Sequence, residues 1–222
     1  MRALISFLIA AALVAPAAAA NPHVIAFGKP LPVKMFIGPD QQKSIDMKIR
    51  SLYVDGKIRE FTIGDPHDVT DRIFVVRRAY RVNDWLPEDE GTNHKWKWQR
   101  GGWLMVDRET GRVSQLTLPE FDPFFSVATW YRDYVAYCGA NDDMTHLYAV
   151  VMQLGNKKPV LHRDLGAPAN SAIPDSECAP PEWQRGPVRV TFAPDSGQKT
   201  TFAIRGHVAG VAAESGEGDE KQ

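Results

Sequence analysis

Apolar and polar residues alternate through most of this chain. Ile45, Met47 and Ile49 alternate with Asp46, Lys48 and Arg50, the period of two that marks a strand with one dry and one wet face. Residues 52–54 and 58–63 flank Asp55-Gly56, a dipeptide that supplies the positive φ angles of a type I′ turn and so predicts a hairpin. Residues 73–82 predict a long strand, with Arg77 and Arg81 on one face and Phe74, Val76, Tyr80 and Val82 largely on the other. Between residues 96 and 165 strand signals come in close succession: 103–106, 114–118, 127–130, 134–138, 147–154 and 160–165. Turn signals at 109–111, 141–143 and 155–156 separate most of them. Two last strands are predicted where Val188, Val190 and Phe192, then Phe202 and Ile204, alternate with their neighbours. No segment beyond the first twenty residues has helical periodicity. The predicted class is all-β, an antiparallel meander or sandwich.

The remaining stretches break this pattern. In residues 1–20, Arg2 precedes an apolar run over 3–14, and Ala18 and Ala20 fit the small-x-small rule for cleavage of a signal peptide. The run is shorter than the roughly 20 apolar residues that span a bilayer, so the expectation is export with cleavage and no membrane span afterwards. Residues 21–39, with Pro22, Pro30, Pro32 and Pro39, read as an extended lead-in whose one strand, 33–37, sits at a sheet edge. Residues 83–93 read as an exposed acidic loop, and 166–186, with four prolines, as a second long loop. Residues 210–222 read as a disordered acidic tail. The organisation expected is a single β-rich domain over residues 21–209.

Charge narrows the partners. The net charge is −1, removing Arg2 makes it −2, and the tail from Glu214 carries −3, which leaves the body near +1. Nothing in that balance suggests nucleic acid, whose binders need a concentrated basic face. The two cysteines, Cys138 and Cys178, enclose about 40 residues; in an oxidising exported compartment they are most simply a disulfide, with two buried thiols as the alternative.

One weak internal repeat stands out. Residues 52–62 (Leu-Tyr-Val-Asp-Gly-Lys-Ile-Arg-Glu-Phe-Thr) echo residues 104–117, each copy is followed by Asp-Pro, and Leu147-Tyr148 opens a third copy; the starts lie 52 and 43 residues apart. The Val-Asp-Arg-Glu-Thr-Gly-Arg-Val hairpin and the turn at residues 137–143 resemble blades of TolB-type and WD-repeat β-propellers over about 110 residues. That resemblance implies a propeller-like arrangement as the alternative to an open meander or sandwich.

Candidate chemistry is sparse. Trp96 and Trp98 lie two apart and share a strand face; with Trp103 and Trp130 they form an aromatic set able to stack on sugar rings or prolyl rings. Core packing is the alternative for each. Asn141, Asp142, Asp143 and His146 offer part of a calcium shell, but without the Asp-x-Asp-x-Asp-Gly pattern a plain hairpin turn is the better reading. The six histidines show no zinc-binding spacing, and Gly-x-Ser-x-Gly is absent. Asp65, His67, Asp68 and Asp71 read as a polar loop able to hold a base–acid pair. Arg77 and Arg81 read as a basic strip that meets either an anionic polymer or, preferably, the acidic residues 88–90. These features predict no catalytic residue, metal or cofactor. They predict a periplasmic or secreted β-domain that binds an envelope protein or glycan through Trp96, Trp98, Trp103 and Trp130. The alternatives are a small hydrolase using His67 or His146, or a structural subunit of an envelope assembly.

Overall fold

The computed structural model describes residues 22–37, 43–83, 96–168, 178–195, 197–204 and 213–214. Residues 1–20, where a signal peptide is expected, the acidic stretch 84–93 and most of the acidic tail lie outside the described residues. The fold is all-β, and no described residue is helical.

The first half is one seven-stranded sheet that closes on itself. Its strands are β1 (Ile25–Phe27), β2 (Leu31–Ile37), β3 (Lys43–Val54), β4 (Lys57–Asp68), β5 (Ile73–Asn83), β6 (Trp96–Asp107) and β7 (Val113–Leu116). Strands β2 to β6 pair consecutively and antiparallel, and β6 returns to pair with β2 in parallel. Five alternating strands leave the first and the fifth pointing the same way, so a ring of five can close only through a parallel pair. Side chains from all five strands fill it: Met35, Ile49, Ile63 and Ala79 are buried, with Phe61 and Trp98 packed against them. A second cluster, Leu52, Phe74, Val76, Leu104 and Val106, uses the opposite faces of β3 and β5 and is covered by Ile25 and Phe27 of β1 and Val113 of β7. The β3–β4 turn has φ of 52° at Asp55 and 74° at Gly56, as the dipeptide predicts.

The expectation that 33–37 forms an edge strand is corrected. β2 pairs with β3 along its whole length and with β6 at Met35 and Phe36. Pro30 and Pro32 are tolerated because they lie at the end that β6 does not reach.

The second half is a two-layer sandwich. β8 (Thr129–Tyr131), β9 (Tyr134–Ala140), β10 (Leu147–Gln153) and β11 (Leu161–Gly166) form one antiparallel meander. β12 (Cys178–Arg185), β13 (Val188–Pro194), β14 (Thr200–Ala203) and the two-residue β15 (Ala213–Glu214) form the other. Ala136, Cys138, Ala149 and Val151 meet Val190, Phe192 and Phe202 between the layers. Across this core Cys138 and Cys178 form a disulfide, Cα–Cα 6.3 Å, which ties β9 to β12.

The long loop expected over 166–186 is also corrected, because its last part, from Cys178, is strand β12. Pro180 and Pro181 fit there because the strand lies at a sheet edge and its register with β13 shifts between Ala179 and Glu182.

Candidate functional site

The four candidate tryptophans form two pairs with different surroundings. Trp96 and Trp98 start β6, opposite Asn83 and Arg81 of β5. Their shared face follows from strand alternation. Trp98 turns its ring edge-on to Phe61, centroids 5.1 Å apart, and packs on the ring interior. Trp96 is 52 % exposed. The Arg81 guanidinium reaches across both indoles, 5.1 Å from the Trp96 centroid and 5.3 Å from that of Trp98, which orders a long side chain that would otherwise sample many rotamers. On the strand's other face Lys97 lies over Phe36.

Trp103 and Trp130 form the second pair, ring centroids 5.3 Å apart and edge-on. They join the two halves of the molecule, since Trp103 belongs to β6 and Trp130 to β8. Both indole N–H groups are buried with no acceptor among the described residues, which suits an internal contact and not an open platform. His67 stacks on Trp130 at 5.7 Å and hydrogen-bonds the Arg132 carbonyl at 2.7 Å.

The stretch around His67, expected as a polar loop, is the end of β4, and it does not gather a base–acid pair. Asp65 accepts from Arg50 and Asp68 from Arg108, while His67 is taken up by the carbonyl. Nor is Arg77 part of a surface strip. It is largely buried and donates to the carbonyls of Gly101 (3.3 Å), Pro123 (2.7 Å) and Ser126 (3.3 Å), with Phe121 stacked on its guanidinium. Burial, and next the charge of Arg100, lowers its pKa to about 10, with Asp122 acting in the opposite direction. Alternation places Arg77 with Arg81, but residues 121–126 cover only Arg77.

The 141–146 segment is a hairpin turn. The Asn141 side-chain carbonyl accepts the amides of Thr145 and His146, and the Thr145 hydroxyl donates to Asp143. No cluster of three or more His, Cys, Asp or Glu side chains among the described residues is placed to hold a metal ion.

Beside this turn lies a cluster that sequence reasoning missed. His146 Nδ1 is 3.1 Å from Asp164, His162 Nε2 is 2.7 Å from Glu120, and the Tyr148 ring stacks between the two imidazoles at 6.3 and 4.7 Å. Partial burial, and then the carboxylates of Asp164, Glu120 and Asp143, push the Tyr148 phenol above its ordinary value. The two-residue spacing of His146 and Tyr148 was a visible signal; the 42-residue separation of Glu120 from His162 offered none.

No protein-family model matches the chain, and no curated protein and no solved structure is significantly similar to it.

Proposed function

We propose that this chain is an exported, non-catalytic binding domain that takes an acidic envelope glycan on the Trp96–Arg81 face. One observation carries the reading: Trp96 is half exposed while Arg81 lies across its ring and that of Trp98. An indole face stacks on the C–H groups of a pyranose at small entropic loss, and a guanidinium held beside it offers paired donors to a carboxylate or phosphate. Export is supported by the disulfide and by the leader read in residues 1–20. The two stacked four-stranded meanders are what supports the propeller-like alternative for the second half.

The test is a thermal melt with acidic and neutral glycans, repeated on Trp96→Ala. A ligand at 100 times its Kd adds about 2.7 kcal/mol, a rise of several degrees for a chain of this size. The acidic glycans should raise the melting temperature of the parent and leave Trp96→Ala unmoved. The variant without ligand should stay within about 0.5 kcal/mol of the parent. Equal shifts in parent and variant, or no shift with any acidic glycan, would sink the reading. A second reading, a small hydrolase using His67 or His146, is favoured by the His146–Asp164 pair; no activity on a broad hydrolase panel, or activity that survives replacement of both histidines, removes it.

A further inference from the structure

We propose that the pocket between residues 118–123 and the 140–144 turn binds an organic cation, an ammonium or guanidinium group on an apolar stem. The pocket has a volume of about 370 Å³, within the range of small-ligand sites. Leu118, Phe121, Pro123 and Met144 give it apolar walls, and Glu120 and Asp142 supply carboxylates.

Its walls are fixed before any ligand arrives. The Ala140 amide donates to the Glu120 carbonyl at 3.0 Å, and the Tyr137 hydroxyl to the Pro119 carbonyl at 2.7 Å. Gly139 is what lets the two segments come so close, since a Cβ there would lie 2.9 Å from the Glu120 carbonyl oxygen. Glu120 and Met144 both have φ of 56°, so two of the four non-glycine residues with positive φ among the described residues line this one pocket. Such conformations cost energy and persist only where the surroundings enforce them.

The charges select the ligand class. Asp122, which also lines the pocket, is occupied by the amides of Phe124 and Phe125, and its charge acts on Arg77 behind Phe121. Glu120 is hydrogen-bonded to His162. Asp142 has no hydrogen bond or ion pair among the described residues, and no Lys or Arg lines the pocket. An anion would be repelled, and a neutral apolar ligand would strip water from Asp142 without replacing it. A cation with an apolar stem satisfies both surfaces.

A free amine and a basic side chain of a peptide share this chemistry, so the test uses one probe for each: agmatine and Nα-acetyl-arginine amide. Nα-acetyl-citrulline amide, with a ureido group in place of the guanidinium, is the neutral control. Titrations followed by amide chemical shifts should move residues 118–123 and 140–144 with a cation and not with the citrulline probe. Asp142→Asn, an exposed change that leaves the melt unaltered, should weaken binding roughly fivefold, and added salt should weaken it further. Binding of agmatine alone identifies a free amine; binding of both identifies a basic side chain. The proposal falls if neither cation shifts these amides, if Asp142→Asn binds as tightly as the parent, or if the citrulline probe binds equally. Trp96→Ala should keep this binding, so the site stands or falls apart from the glycan face.

Discussion

Arg77 is a cation that holds two halves of the molecule together through neutral partners. Its guanidinium spans carbonyls from β6 and from residues 123–126. At about 10, its lowered pKa still leaves it charged at neutral pH. Replacing it with Met keeps the apolar stem and strands those carbonyls, so Arg77→Met should cost roughly 2–4 kcal/mol, read as a lower urea midpoint at unchanged slope. Asp107 shows the opposite perturbation. Hydrogen bonds from Arg72, and then from the Thr110 and Glu109 amides, hold its carboxyl well below the usual carboxylate range. The native state therefore binds that proton less readily than the unfolded chain does. Its stabilisation is complete above the unfolded value near pH 3.9 and is lost as pH falls towards the native value. Asp107→Asn should be less stable than the parent at pH 7 and lose less on going to pH 3, measured as urea midpoints at both pH values. The sequence made Arg77 and Arg81 neighbours on a face, but what covers that face is set by residues more than 40 positions away.

Elements were legible where local chemistry decides them. Asp55-Gly56 specified its turn, and the alternation at residues 45–49 and 73–82 specified strands, because one wet and one dry face leave few registers. β12 was not legible, since its prolines argue for a loop and only pairing with β13 and the disulfide make it a strand. The aromatic set was half legible. Spacing gave the shared face of Trp96 and Trp98, but whether a tryptophan faces solvent or another layer depends on packing between sheets. The Cys138–Cys178 pair was legible from the number of cysteines and the expectation of export. Closing about 40 residues, it should contribute at most about 4 kcal/mol. A reductant should therefore lower the melting temperature by roughly 5–15 °C, and the double replacement Cys138→Ala, Cys178→Ala should reproduce that fall without reductant. An unchanged melt would mean that the sheet-to-sheet core of Phe192, Phe202 and Val151 holds the layers unaided.

At the scale of the whole molecule, all-β was readable but the ring was not. Its closure rests on Met35 opposite Trp98 and Phe36 opposite Gln99, pairs 63 residues apart with no local signature. The junction between ring and sandwich, Trp103 on Trp130 with Arg77 and His67 beside them, is equally non-local. The ring also has a temporal consequence. Every strand that builds it, and the two that cover its second cluster, lie between residues 25 and 116. A chain made from its amino terminus therefore has the whole ring in hand before either cysteine has been added, and domains tend to fold as units in that order. The half that is made first has no covalent cross-link, and the disulfide falls in the half that arrives last, where a meander of short strands has the ring to dock against.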